Sequence, residues 1–540
     1  MDNKASHLPH WALGALVALG AVSPGPFAAG DAMLAPVRIE SGLVAGAGLG
    51  ERNEIHVYRG VPFAAPPVGA FRWKPPRPVT PWAGVRMCTE FGPWCPQPKP
   101  MLGRELGGMS EDCLYLNVWT PARAPTERLA VMVWIHGGGC TTGSGAMAAY
   151  DGETLARQGV VAVTINYRLG PFGFFAHPLL SQESEHGVSG NYGLLDQLAA
   201  LQWVQRNIAA FGGDPDCVTI FGESAGALSA CRLLVSPLAT GLFHRAIAQS
   251  GGPHGRNRHL RAEWYGMESM EHLGERIAQK LGCDKAPDPV AALRAKSGEE
   301  VLAAADASQG LFGKGNKFSP IIDGWVLPED PGDVFDAGRQ HRVPLIAGSN
   351  ADEGTVFLGQ LPVKGVLGYR LAVRTLFHGR APEVLRLFPA TRNEDVPQAL
   401  NHLVTVSSFV VQARYLARSM ANADTEAFLY HFTHVPAVSR SGERGAFHGI
   451  EIPYIFGSLQ KAWGVRLPAE EPLSKTISAC WVQFAKTGNP NGAGLPEWPR
   501  YQPDSDKYLE FGDAVGAKSG LYREACDLFD EIQAERRRNR

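Results

Sequence analysis

The chain has 540 residues, 45% of them hydrophobic, and its 51 basic and 53 acidic side chains leave a formal charge of −2. That balance excludes a nucleic-acid or polyanion scaffold, and the apolar share suffices for a sizeable core. Length alone suggests roughly three or four domains, yet no Ser/Gly-rich linker, charge block or internal repeat divides the sequence.

The first residues read as a targeting segment. Met1 to His10 carries Lys4, Trp11 to Val22 is an apolar run of twelve residues, and Ser23-Pro24-Gly25-Pro26 and Ala28-Ala29-Gly30 supply helix-breaking and small residues. This pattern predicts an export signal over residues 1–30, cleaved near Gly30-Asp31, and a secreted or periplasmic product with no membrane attachment. The run is too short to span a bilayer comfortably.

Leu129 to Ile135 (Leu-Ala-Val-Met-Val-Trp-Ile) predicts a buried strand and ends in His136-Gly137-Gly138-Gly139-Cys140. Alone, the three glycines read as a flexible turn. Directly after a buried strand, they leave N–H groups uncovered for a developing oxyanion, each such donor being worth about 3 kcal/mol.

Cys217 to Phe221 predicts a second strand, and Ala225 to Val235 is rich in helix formers. Between them Gly222-Glu223-Ser224-Ala225-Gly226 is a G-x-S-x-G nucleophile elbow, a sharp strand-to-helix turn with a serine at its tip. Ser224 is the candidate nucleophile. The amides of Gly138, Gly139 and Ala225 are the candidate oxyanion donors, the last at a helix N-terminus where free N–H groups favour negative charge.

After Gln249-Ser250-Gly251-Gly252, residues 254–261 hold three arginines and two histidines within eight positions. Most such clusters are solvated loop charge. An arginine fork that reached a binding site would hold a carboxylate in bidentate fashion, which makes Arg256, Arg258 and Arg261 candidates for binding a substrate carboxylate.

A serine hydroxyl is a weak nucleophile near neutral pH, so a base must take its proton and a carboxylate must orient that base. Val343 to Ala347 predicts a short buried strand, and the loop after it, Gly348 to Gly354, offers both Asp352 and Glu353. On chemistry alone either serves. Of the later histidines, His378, His402, His431, His434 and His448, the third and fourth belong to or adjoin the strand-like run Phe428 to Phe432, where a core histidine is expected. His448 lies instead in Gly445-Ala446-Phe447-His448-Gly449, a loop that lets a ring reach outward. Arg536-Arg537-Arg538 reads as a solvated terminus.

Four further stretches complete a pattern: Tyr58 to Gly69 (Tyr-Arg-Gly-Val-Pro-Phe-Ala-Ala-Pro-Pro-Val-Gly), Ser110 to Trp119, Gly190 to Gln197 and Phe211-Gly212-Gly213-Asp214-Pro215. With the elbow they resemble the type-B carboxylesterases, the cholinesterase-like branch of the α/β-hydrolases, over nearly the whole chain after residue 36. The resemblance implies an α/β-hydrolase fold: a large mixed, mostly parallel sheet flanked by helices, with long insertions, as one domain over 31–540. It also implies cofactor-free hydrolysis of small-molecule carboxylic esters through an acyl-enzyme. Carried over residue by residue, it places the acid on Glu353 and the base on His448. Ser250 would support the acid, Glu451 would be a second buried glutamate near the histidine, and Glu223 in the elbow would be a further supporting residue outside the triad. Ser319 to Gly324, Leu361 to Lys364 and Tyr369-Arg370 are similar to a bacterial subgroup that includes fumonisin esterases, which release tricarballylic acid from a mycotoxin. This implies esters of polycarboxylic acids as a substrate class. A general short-chain carboxylesterase and a non-catalytic binding protein on the same fold are the alternatives.

Nine cysteines cannot all pair. The resemblance implies a disulfide between Cys113 and Cys95, with Cys88 the competitor, and leaves Cys283 and Cys526 facing Ala292 and Val411 at their partner positions. Cys140, Cys217, Cys231 and Cys480 read as small buried hydrophobes. No C-x-x-C or H-E-x-x-H motif occurs, so no metal is expected.

Overall fold

The apolar runs fold into strands, which a computed structural model describes together with the rest of residues 33–99, 108–255, 257–440 and 444–539. The export signal and Arg256 lie outside the described residues. In chain order the strands are β1 (Val37–Ile39), β2 (Gly42–Ala45), β3 (Ala47–Leu49), β4 (Ile55–Pro62), β5 (Val85–Met87), β6 (Tyr115–Thr120), β7 (Leu129–Ile135), β8 (Val161–Ile165), β9 (Gly213–Glu223), β10 (Arg245–Gln249), β11 (Leu345–Asn350), β12 (Ala427–Phe432), β13 (Lys507–Phe511) and β14 (Val515–Ser519). Three of them form a small sheet, β1-β2-β5, and the other eleven form one large sheet in the order β14-β13-β12-β11-β10-β9-β7-β8-β6-β4-β3.

From β8 through β7 and β9 to β13 neighbouring strands are parallel, and antiparallel pairing is confined to the two margins. Parallel strands are covered on both faces, which is why β7 reads as an unbroken apolar run. Its alternate residues serve opposite layers. Val131, Val133 and Ile135 pack with the helices α1 (Tyr192–Asn207), α2 (Ala225–Leu233) and α3 (Val411–Asn422), while Met132 and Trp134 pack with α4 (Glu471–Thr487). This alternation of side chains between opposite faces is the period of two that any strand imposes.

One buried ion pair explains the Gly190 to Gln197 motif. Asp196, on α1 and fully buried, accepts from Arg168 Nε at 2.8 Å, Nη2 at 2.7 Å and the Arg168 backbone at 3.0 Å. The fold matches the expected class, with some local differences. β9 begins at Gly213, upstream of the expected Cys217, and β11 extends to Asn350, so Ser349 and Asn350 lie in the sheet and the loop holding the two carboxylates is shorter.

The basic tail is not a solvated terminus. It belongs to helix α5 (Arg523–Arg538), and the Arg537 side chain, 13% exposed, donates to Asp336 at 2.6 Å and sits 2.9 Å from His254 Nδ1. Burial, reinforced by the Arg537 charge, holds the His254 imidazole neutral. A neutral ring can accept from arginine, and this is what draws the tail inward. Among the described residues no helix is long and apolar enough to cross a membrane.

Cys95 and Cys113 form a disulfide, whereas Cys88, Cys283 and Cys526 are free and buried. Cys217 departs from the expected buried hydrophobe: it is half-buried, and its sulfur accepts from Arg245 Nη1 at 3.1 Å. The disulfide links residues 18 apart, for which chain-entropy reasoning gives about 3 kcal/mol. Peptide mapping of the oxidised protein should therefore find Cys95 joined to Cys113 and Cys283 alkylatable after unfolding, and reduction should lower the melting temperature. A mapped bridge to Cys283 would contradict the structure.

Candidate active site

The carboxyl ends of four adjacent parallel strands deliver the candidate groups to one edge of the sheet, where ligands bind in open α/β sheets. Strand register does the alignment: Ile135 pairs with Gly222, Glu223 with Gln249, and Gln249 with Gly348. The glycine loop, the elbow, Ser250 and the 351–353 turn therefore leave the sheet side by side.

Ser224 stands between β9 and α2 with φ 56° and ψ −116°, a conformation that costs a non-glycine residue on the order of 1–3 kcal/mol. Its N–H donates to the Gln249 carbonyl at 2.8 Å and its carbonyl accepts from Leu228 at 2.9 Å, so both sides of the turn are held. The elbow also lies very close to β7. A Cβ at Gly226 would sit 2.0 Å from the Ile135 carbonyl oxygen, and one at Gly222 would sit 2.6 Å from the same atom. Both glycines are steric requirements of this crossing.

Gly138 and Gly139 adopt φ of 98° and 64° and are exposed, with nothing near the Cβ direction of Gly139. The Gly138 carbonyl turns back to accept from the N–H groups of Thr141 and Thr142 at 3.1 and 3.0 Å. Ala225 is the first residue of α2, so its N–H has no partner within the helix.

The two carboxylates in the turn after β11 have different partners. Glu353, fully buried, accepts from Ser250 Oγ at 2.6 Å and the Asn350 N–H at 2.7 Å through Oε1, while its Oε2 lies 2.5 Å from His448 Nδ1. Asp352 instead ties down the histidine's loop, accepting from Asn401 Nδ2 at 2.8 Å and the Ala446 N–H at 2.9 Å. Sequence chemistry could not separate them; the strand register does.

His448 is 12% exposed and lies against two aromatic rings, Phe409 at 4.8 Å and Phe357 at 5.2 Å between centroids. Phe409 comes from a π-helical turn, Val406–Val410, inserted before α3. His448 Nε2 lies 3.1 Å from Glu223 Oε1, an approach too poorly aligned to make a hydrogen bond. Among the described residues it has no hydrogen bond to Ser224 Oγ, and catalytic hydrogen bonds are often loose without substrate.

Three buried glutamates surround this one imidazole. Glu451 accepts from Asn350 Nδ2 at 2.6 Å and Gln249 Nε2 at 3.0 Å. Burial pushes its carboxyl up, as do neighbouring charges. Glu223 is pushed up to about 8, first by burial and then by Glu451 and Glu353, against the opposing pull of His448. For His448 burial opposes the charged form, but Glu223 and Glu353 outweigh it and push the imidazole up to about 9. The His448–Glu223 pair therefore retains at least one proton across neutral pH. Gln249 and Asn350 went unnoticed in the sequence. Their only signal there is position, each standing at the carboxyl end of a strand next to a candidate residue.

The arginine cluster is occupied elsewhere. Arg258 lies 3.8 Å from Glu268 and donates to its carbonyl at 3.3 Å, while Arg261 lies 3.4 Å from Glu271 and donates to the Gly187 carbonyl. Both side chains thus have glutamate neighbours, while Arg258 Nε is buried without a hydrogen-bond partner and Arg261 is 57% exposed. Among the described residues no group of three or more His, Cys, Asp or Glu side chains is arranged to hold a metal.

Comparison with known proteins agrees with this architecture. A profile of the carboxylesterase family matches residues 35–371 and 383–529. The chain is 41% identical over 493 residues to fumonisin B1 esterase of Sphingopyxis macrogoltabida, covering 88% of this chain and 87% of that protein. It is 38% identical to para-nitrobenzyl esterase of Bacillus subtilis (strain 168), covering 85% and 91%. Two solved structures of PNB esterase superpose with a TM-score of 0.77 at 34% identity, covering 92% of this chain and 99% of theirs. With a family match over most of its length and close relatives that are esterases, the chain belongs to the carboxylesterase family and is a serine carboxylic ester hydrolase on the α/β-hydrolase fold.

Proposed function

We propose that Ser224, His448 and Glu353 carry the reaction as nucleophile, general base and orienting acid. His448 Nε2 takes the Ser224 hydroxyl proton as Oγ attacks the ester carbonyl, and the amides of Gly138, Gly139 and Ala225 hold the resulting oxyanion. The carbon–oxygen bond to the alcohol breaks, the imidazolium returns its proton to the leaving oxygen, and an acyl-serine remains. Water then repeats the sequence through the same base, releasing the acid and restoring the hydroxyl. The single observation that carries this assignment is the 2.5 Å contact of His448 with a carboxylate fixed by Ser250 and Asn350, at the sheet edge that presents the strained serine.

For substrate, 41% identity to a fumonisin B1 esterase supports esters of polycarboxylic acids, of the tricarballylate type, with neutral short-chain esters as the broader class. For location, the apolar leader ahead of Asp31 and the Cys95–Cys113 bridge support export to an oxidising compartment.

Replacing Ser224 with alanine should cut kcat/KM for a short-chain aryl ester by at least about a thousandfold while leaving the circular dichroism spectrum unchanged. Stoichiometric labelling of a different serine by an organophosphate would contradict the assignment. Glu353→Gln should impair kcat far more than Asp352→Asn, since only Glu353 touches the imidazole; the reverse ranking would show that Asp352 orients the base. The reaction needs neutral His448, so kcat/KM should rise with pH as the imidazolium loses its proton. Because the Glu223 charge raises that proton's affinity, Glu223→Gln should move the rising limb to lower pH by about one unit. A limb that stays in place would show that Glu223 does not act on the base.

A further inference from the structure

Two lysines are bound into the loops around the glycine turn, and the serine chemistry does not use them. Gly143, which closes that turn, donates to Gln97 Oε1 at 2.8 Å and accepts from Gln97 Nε2 at 3.0 Å, and the Gln97 side chain is buried. Two residues on, the Lys99 carbonyl accepts from Gln309 Nε2 at 2.8 Å. Within the same turn Thr141 Oγ1 donates to the Ser308 carbonyl at 3.2 Å, and Ser308 Oγ donates to the Gly313 carbonyl at 2.8 Å. Lys314 is the next residue.

The segment carrying Lys314 also reaches the other side of the site. Leu311 and Phe312 pack against Phe357 and Phe409, the two rings beside His448, and the Phe312 N–H donates to Gln360 at 2.9 Å. It therefore borders the site from the oxyanion side to the histidine side. Lys99 and Lys314 are both exposed, and neither forms an ion pair with a described residue. Asp306 is an acid that approaches this turn at Gly315.

We propose that Lys99 and Lys314 form a cationic rim that receives a carboxylate carried by the substrate outside the ester being cleaved. The inference rests on the serine-esterase reading and names the residues that would give it a preference for anionic esters. Lysine suits the task because a compact charge on a flexible stem tolerates several carboxylate positions, unlike an arginine fork. Arg258 and Arg261 already lie beside Glu268 and Glu271, whereas neither lysine has such a partner among the described residues.

The test compares kcat/KM for monoethyl succinate with that for ethyl butyrate, an uncharged ester of the same acyl length, by pH-stat at low ionic strength. Wild type, Lys99→Gln, Lys314→Gln and the double variant are measured beside Lys475→Gln, which removes an equal charge from an exposed position on α4. Each exposed contact contributes a few-fold, so the succinate-to-butyrate ratio should fall about tenfold in the double variant, and added salt should lower the wild-type ratio. A double variant within twofold of wild type, or an equal fall in Lys475→Gln, would overturn the rim while leaving the esterase intact. Wild-type protein that hydrolyses neither ester would overturn the serine-esterase reading itself, and the rim with it.

Discussion

The site depends on one buried contact, that between the Glu353 carboxylate and His448. A carboxylate with no exposure is tolerable only when its charge is met, and here one oxygen takes two donors, Ser250 Oγ and the Asn350 N–H, leaving the other for the imidazole. Each donor comes from the end of a different parallel strand, so the orientation of the ring is inherited from the sheet. Aromatic contacts from Phe357 and Phe409 then restrict the ring from the side. The histidine's own loop is buried at Ala446, Phe447 and Ile450, and Asn350 Nδ2 donates to the Phe447 carbonyl at 2.9 Å. The loop is also pinned by Asp352, which gives that neighbouring carboxylate a structural reason to be present beside the one that touches the base.

The serine is held differently, by steric exclusion. The elbow crosses β7 at a separation that admits no side chain at Gly222 or Gly226, and the strain at Ser224 persists because hydrogen bonds to the Gln249 carbonyl and from the Leu228 N–H fix the turn on both sides. The same strand, β7, ends in the glycine loop. One apolar strand thus fixes the height of Ser224 and the position of the Gly138 and Gly139 amides together, and a shift of β7 would move both.

How much of this was legible in the sequence follows from how local each feature is. The β7 strand, the elbow and the glycine loop are written in contiguous residues whose periodicity and sterics have few other uses, and they lie in the structure where those residues require. The choice between Asp352 and Glu353 is not local. It turns on which of two adjacent side chains meets a ring 95 positions away, and residue chemistry left it open until family resemblance was invoked. The arginines at 258 and 261 raise the same difficulty: each lies beside a glutamate, Glu268 or Glu271, and composition cannot tell such a side chain from one that faces a substrate. Arg537 raises the opposite difficulty. A basic run at a terminus is usually solvated, but a buried neutral histidine some 280 positions earlier gave it a reason to fold back.

The glutamates around His448 carry a further consequence. Glu223, Glu353 and Glu451 are each nearly inaccessible to water, and no arginine or lysine neutralises them at hydrogen-bond distance among the described residues. Three full negative charges in so small a volume would be prohibitive, so burial drives Glu223 and Glu451 towards their protonated forms. Glu223 and His448 thus compete for one proton, and wherever Glu223 is charged it stabilises the protonated imidazole that Glu353 also stabilises. The cluster thereby couples the proton on the imidazole to the burial of Glu223, so a change at either residue moves the other.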